Sequence, residues 1–158
     1  MSRIAVIAAV VWIMSFSHAN AAEKKFTKPA ERDKCPVCGM FVYKYPDWVA
    51  QVVYKDGTAD FFDGTKDLFK YYFNVKKYNP KRSQADIAVL YVSEYYDMKL
   101  IKAEDAFFVI GSDVYGPMGR ELIPLTSRAA AETFKADHKG KTIIEFKDVT
   151  EKTIEKLD

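Results

Sequence analysis

The same order of strands and helices is predicted twice along this chain. In the first half, a β-hairpin over 49–62 is followed by a helix over 67–73 and a strand over 87–92. The second half is predicted to contain strands over 106–110 and 122–125, a helix after Thr126 or Ser127 and a strand over 141–146. A unit of about 45 to 50 residues is close to the lower size limit for an independent core. We therefore predict an α+β fold in which two small homologous β-β-α-β units, 35–98 and 99–150, pack together.

Local patterns support these elements. β-Branched and aromatic residues flank Lys55-Asp56-Gly57, which is typical of a hairpin. Apolar residues recur at helical spacing after Asp63-Gly64-Thr65, where side chains suited to a helix start are found. The segment 111–119 is rich in glycine and is predicted to be a connection, and Gly140 lies where a helix C-terminal cap is expected.

The N-terminal segment has the features of a secretory signal peptide. An apolar run over 4–14 precedes Ala19-Asn20-Ala21, an Ala-x-Ala cleavage pattern. The run is too short for a typical membrane span, so we expect no stable membrane insertion. No cysteine follows the cleavage pattern closely enough to accept a lipid. We predict a signal peptide over 1–21, a flexible segment over 22–34, and an exported protein free in the periplasm.

Charge and histidine content exclude two classes of site. The chain has 24 Lys and Arg against 22 Asp and Glu, and the basic residues are scattered along it. A nucleic acid partner is therefore not expected. Once the signal peptide with His18 is removed, His138 is the single histidine, which excludes a metal centre built from several histidines.

The sulfur atoms of the chain are concentrated around one short motif. The two cysteines are Cys35 and Cys38, and Met40 follows two residues after the second. Met118 lies between glycines in Gly116-Pro117-Met118-Gly119, where a turn is expected and an apolar side chain has little core to fill. The pattern indicates a soft-metal or redox site.

Besides copper binding, a Cys-x-x-Cys pair has three common roles in proteins, and this sequence supports them unequally. Thiol-disulfide exchange of the thioredoxin type needs a strand before the pair and a helix after it, and the flanking residues favour neither. A structural zinc site needs four ligands, and two thiols with one distant histidine are too few within one chain. The pair can also form a simple disulfide in an exported structural module.

Cu(I) suits the available donors best, because it is soft and binds thiolates and thioethers at low coordination number. Cys38 and Met40 lie on the same side of an extended backbone and could contact one ion. A third ligand from Met118 would place that ion at the interface between the two units. Whether Cys35 is a ligand or the disulfide partner of Cys38 stays open.

The chain resembles the NosL family, the copper-delivery accessory proteins of nitrous oxide reductase assembly. The resemblance extends from Cys35 to about Thr150, and it depends on three sequence stretches. These are Cys38-Gly39-Met40, Pro46-Asp47-Trp48-Val49-Ala50-Gln51, and Val109 to Val114 running into Gly116-Pro117-Met118-Gly119-Arg120-Glu121-Leu122-Ile123-Pro124.

The resemblance implies a periplasmic Cu(I) chaperone with Cys38, Met40 and Met118 as metal ligands and Cys35 as an extra thiol. It implies ligand exchange rather than catalysis, with nitrous oxide reductase as the recipient and a copper exporter as a candidate donor. The lipid-anchor cysteine of better-known members has no counterpart here. The competing interpretation from another class is an exported thiol-disulfide oxidoreductase that uses Cys35 and Cys38.

Overall fold

The computed structural model describes residues 26–158. The predicted signal peptide, 1–21, and the start of the predicted flexible segment lie outside the described residues. Later in that segment, the Thr27 N–H donates to Gln51 Oε1 over 3.3 Å. Within 26–158, none of the helices combines the length and apolar character that a membrane crossing requires.

The first half of the described chain forms a four-stranded antiparallel sheet with the strand order β2-β1-β3-β4. The inner strand β1 pairs with β2 on one edge and β3 on the other and is buried along its whole length. The elements in chain order are β1 (Ala50–Tyr54), β2 (Ala59–Phe62), α1 (Thr65–Phe73), α2 (Val75–Tyr78), β3 (Ile87–Ser93) and β4 (Leu100–Lys102).

The second half forms a three-stranded antiparallel sheet with the strand order β6-β5-β7. Its elements are β5 (Phe107–Gly116), β6 (Gly119–Leu125), α3 (Arg128–Asp137), β7 (Thr142–Glu145) and α4 (Glu151–Glu155). In both sheets, the first strand of the unit pairs with the second on one side and with the strand after the helix on the other. The predicted α+β fold with a repeated β-β-α-β order is confirmed.

Two details differ from the sequence prediction. The segment 111–119 is not a loose connection, because β5 continues to Gly116 and β6 starts at Gly119. Pairing between these strands is irregular between Ile110 and Tyr115, and Gly111 has a φ of +76° there. The glycine therefore marks a bulge inside a strand rather than its end.

The edge of the first sheet includes residues from beyond the predicted boundary between the units. Leu100–Lys102 pair with β3, although they fall in the range 99–150. The position of that boundary stays a prediction. Near the end of α3, Lys139 adopts the left-handed conformation, and the Gly140 N–H donates to the Lys135 carbonyl over 2.9 Å.

Helix α1 connects the two sheets through a shared apolar core. Phe69 on α1 is fully buried, and its ring centroid lies 5.5 Å from that of Phe108 on β5 and 5.7 Å from that of Phe146. The neighbouring residue Val109 points to the opposite face of the second sheet, where it packs with α3 in a smaller cluster. One face of the second sheet thus covers α1, and the other face covers α3.

A buried carboxyl group also joins β6 to the start of α1. Glu121 accepts hydrogen bonds from the backbone N–H groups of Lys66 and Leu122, the latter over 3.0 Å. Burial raises the pKa of Glu121 from its ordinary value of 4.5 to about 8, although both N–H donors and the Lys66 ammonium act in the opposite direction. The start of α1 is thereby fixed against the second unit.

The raised pKa of Glu121 predicts a pH-dependent stability. Between about pH 4.5 and 8 the folded protein retains a proton that the unfolded chain has lost, so the free energy of unfolding falls as pH rises. The slope from this group is at most about 1.4 kcal/mol per pH unit.

The variant Glu121→Gln tests this pH dependence, because it keeps an oxygen for the two N–H donors but carries no charge. In urea unfolding, we expect the variant to match the wild type near pH 4.5 and to exceed its stability near pH 8; parallel pH profiles would contradict this.

Candidate metal centre

The two cysteines lie in a tight loop that precedes the first sheet. Lys34 and Phe41 form an isolated β-bridge at the base of this loop. Inside it, the Cys35 N–H donates to the Met40 carbonyl and the Gly39 N–H donates to the Cys35 carbonyl, both over 2.8 Å. Gly39 has a φ of +79°, a conformation that residues with a Cβ rarely adopt. The loop therefore folds back on itself and brings both thiols to one place.

Two carboxyl groups at the start of helix α1 face this loop. Asp63 immediately precedes the cap residue Gly64, and Asp67 lies in the first turn of the helix. A side chain at Gly64 would collide with Glu121, because a Cβ there would lie 2.3 Å from Glu121 Oε2. Glycine at this position thus lets the start of α1 approach the second unit closely while Asp63 and Asp67 face the cysteines.

Four side chains form the candidate centre, which is called the pocket below: Cys35, Cys38, Asp63 and Asp67. One ligand atom from each lies within 4.8 Å of the others, and no other group of three or more His, Cys, Asp or Glu residues in 26–158 meets this condition. Cys35 Sγ donates to Asp67 Oδ2 over 3.4 Å, and Cys38 Sγ donates to Asp63 Oδ1 over 3.2 Å. Both cysteines are free thiols. The remaining oxygen, Asp63 Oδ2, is buried and has no hydrogen-bond partner among the described residues.

The environment of the thiols favours their protonated form. Burial raises the pKa of Cys35 far above its usual range, and it raises the pKa of Cys38 to about 12. The neighbouring carboxylates raise both pKa values further. Hydrogen bonds lower them, from the backbone N–H of Cys38 to Cys35 and from that of Met40 to Cys38. Burial also raises the pKa of Asp67. The thiols of disulfide-exchange proteins, in contrast, have a lowered pKa.

The four residues predicted from sequence as metal ligands fall in two places. Cys35 and Cys38 lie together in the pocket, and the Met40 backbone is hydrogen-bonded within the same loop. Met118 lies at the tip of the β5–β6 hairpin, and 42% of its surface is exposed. Its carbonyl accepts a hydrogen bond from Lys66 Nζ over 2.8 Å, and Lys66 directly precedes Asp67 on α1. The hairpin tip and the cysteine loop therefore approach the same turn of α1, while the ligand roles of Met40 and Met118 stay predictions.

Sequence reasoning missed Asp63 and Asp67. It interpreted Asp63 only as part of a helix start. Their separation by four residues across a predicted helix start is the one available signal, since residues four apart lie on one face of a helix. Many helices begin with acidic residues for electrostatic reasons, so this signal alone does not indicate a metal site.

Comparison with known proteins gives consistent matches. The family model described as NosL matches residues 25–154. The copper-binding lipoprotein NosL of Stutzerimonas stutzeri is 27% identical over 127 residues, an alignment that covers 75% of this chain and 63% of that protein. The chain thus spans slightly less than two thirds of the length of this curated relative.

Two solved structures are also similar. The crystal structure of the copper chaperone NosL from Shewanella denitrificans matches with a TM-score of 0.68 and 24% identity, covering 82% of this chain and 98% of the other. The solution NMR structure of the apo-NosL protein from Achromobacter cycloclastes matches with a TM-score of 0.47 and 26% identity, over 66% of this chain and 87% of the other. The crystal structure shares the fold described above.

Proposed function

Because this chain belongs to the NosL family, we propose that it is a periplasmic Cu(I) carrier that delivers copper for the assembly of a metal centre. The observation that supports this most directly is the pair of free thiols in one pocket, with Cys35 buried and Cys38 partly exposed. Cu(I) prefers thiolate and thioether ligands, which the cysteines and methionines of this chain supply. Relatives are named as a copper-binding lipoprotein and a copper chaperone, which agrees with this donor set.

The proposed mechanism is ligand exchange. Cu(I) is the cargo, and its binding displaces the thiol protons that burial and the carboxyl groups otherwise retain. Cys35 and Cys38 hold the ion, and Met40 and Met118 supply thioethers that bind Cu(I) without losing a proton. Because Met118 belongs to the second unit, its participation would place the ion between the two units. A recipient then takes the ion by adding its own ligand from the exposed side.

We further propose nitrous oxide reductase as the recipient and a copper exporter as the donor, on the basis of the family resemblance. The periplasmic location rests on the Ala19-Asn20-Ala21 cleavage pattern. A carrier needs no catalytic group, and the competing oxidoreductase function would require a thiol with a lowered pKa. Burial raises the pKa of both cysteines, which supports the carrier function over the oxidoreductase function.

The role of the thioethers is tested by an anaerobic Cu(I) titration against a chromogenic chelator. We expect one ion per chain, and we expect Met118→Leu and Met40→Leu each to weaken binding by roughly tenfold, which corresponds to about 1.4 kcal/mol. Leucine preserves volume and apolarity, so the fold should survive.

Met98→Leu is the matched control, because Met98 is 61% exposed on a turn between β3 and β4. We expect its Cu(I) affinity to equal that of the wild type. Unchanged affinity in Met118→Leu would remove Met118 from the site. Failure of the wild-type protein to compete with the chelator would refute the carrier function altogether.

A further inference from the structure

The pocket contains more oxygen donors than Cu(I) requires. Asp63 is completely buried and Asp67 is 2% exposed, and each receives a hydrogen bond from one thiol. Asp63 Oδ2 is the only buried side-chain oxygen or nitrogen without a hydrogen-bond partner in the described part of the chain. A buried polar atom in this state costs free energy unless a ligand satisfies it. The free oxygen of Asp63 is thus available to a ligand from outside the chain.

The donor set of two sulfurs and two carboxylate oxygens matches a different class of ion. Zn²⁺ binds Cys sulfur and Asp oxygen in tetrahedral four-coordinate sites, whereas carboxylates suit Cu(I) poorly. The sequence argued against zinc within one chain, because two thiols and a distant histidine are too few. The fold removes that objection, since α1 brings Asp63 and Asp67 to the cysteine loop.

The distances are compatible with such an ion. Two sulfurs bound to one tetrahedral Zn²⁺ at about 2.3 Å lie about 3.8 Å apart. The four ligand atoms of the pocket lie within 4.8 Å of one another. Side-chain movements that shorten these separations by about 1 Å would therefore bring all four into the first coordination sphere.

The charge of the pocket also favours a divalent ion. With both thiols deprotonated, the four ligands would bear four negative charges in a buried place. Both lysines of α1 pair with Asp158, and Lys66 Nζ also contacts the Met118 and Leu157 carbonyls. A divalent cation offsets twice as much of this charge as Cu(I) does.

We propose that Cys35, Cys38, Asp63 and Asp67 form a four-coordinate site for a divalent cation of the zinc class. This site shares its thiols with the proposed copper site, so the two ions compete, but the inference does not depend on copper binding. Asp63 and Asp67 would distinguish the two ions, because they are ligands for Zn²⁺ and are dispensable for Cu(I).

The test uses the reduced exported protein under anaerobic conditions, with Co²⁺ as a spectroscopic probe and Zn²⁺ as the competitor. We expect Co²⁺ to give thiolate charge-transfer absorption and the intense visible bands of a four-coordinate ion, and we expect Zn²⁺ to abolish them at one equivalent. Asp63→Asn and Asp67→Asn should each weaken Zn²⁺ binding by at least about tenfold. The same variants should change the Cu(I) affinity by less than about threefold.

Asp97→Asn is the matched control, since Asp97 is an exposed residue whose carboxylate pairs with Lys99. Absence of a four-coordinate Co²⁺ spectrum, or full Zn²⁺ affinity in both asparagine variants, would overturn the inference. Equal losses of Zn²⁺ and Cu(I) affinity would also overturn it, because the carboxyl groups would then only position the thiols.

X-ray absorption of the Zn²⁺-loaded wild type is a second test that needs no variant. Two sulfur and two oxygen neighbours around the ion would support the site, and any other number of sulfur neighbours would oppose it. Loss of Cu(I) binding alone would refute the carrier function and leave this inference intact.

Discussion

Cys38→Ser is expected to lower the Cu(I) affinity by more than about a hundredfold, and Cys35→Ser is expected to lower it less. Loss of a direct ligand should exceed the ten- to hundredfold cost of losing an outer contact. Burial raises the pKa of Cys35 further than that of Cys38, so deprotonating Cys35 to bind the ion costs more and its net contribution to the affinity is smaller. Serine at position 35 retains a hydroxyl donor for Asp67, which preserves the buried contact.

The measurement is the chelator competition described above, applied to both serine variants. Thermal unfolding of the metal-free proteins serves as the control, because the comparison is meaningful only when both variants remain folded. Equal losses of affinity would contradict the prediction and indicate a symmetric site in which two thiolates contribute alike.

Phe69→Ala is expected to reduce the free energy of unfolding by about 3 to 5 kcal/mol. The side chain is fully buried on α1 and contacts rings from the second unit on two sides. Its truncation would leave a cavity where the two units meet, and the surrounding strands could close it only in part. Urea unfolding measures the loss directly.

A matched variant on the same helix is Phe73→Ala, because Phe73 is only partly buried and its stacking contact is with Phe69 itself. Its loss of stability should be clearly smaller. The shared core also predicts that the wild type unfolds in a single transition. Two separate transitions, or equal losses in the two variants, would show that the units do not depend on a common core.

The parts of the fold that were predictable from sequence are those with local causes. The hairpin around Lys55-Asp56-Gly57 depends on a turn whose residues are adjacent in sequence, and Thr58 donates to Asp56 from both its N–H and its hydroxyl group. The start of α3 likewise depends on Ser127, whose hydroxyl accepts the Ala130 N–H over 3.1 Å. Such contacts span a few residues and leave a clear pattern.

The parts that were not predictable depend on distant residues. Strand β4 has only three residues and is defined by its pairing with the edge of β3. So short a strand has no recognisable local sequence pattern. Asp63 joins Cys38 across 25 residues, and Asp67 joins Cys35 across 32. The thiol half of the pocket was therefore visible in the sequence, while its carboxyl half required the packing of α1 against the cysteine loop.

The uneven burial of the two thiols has a kinetic consequence for any ion held between them. Cys35 is 1% exposed and belongs to the main core, whereas Cys38 is only packed against it. If both thiols hold the ion as proposed, a partner's ligand would reach it from the Cys38 side, so the bond to Cys38 would be exchanged first and the bond to Cys35 would break last. The rate of transfer would then depend on how readily the buried thiol gives up the ion.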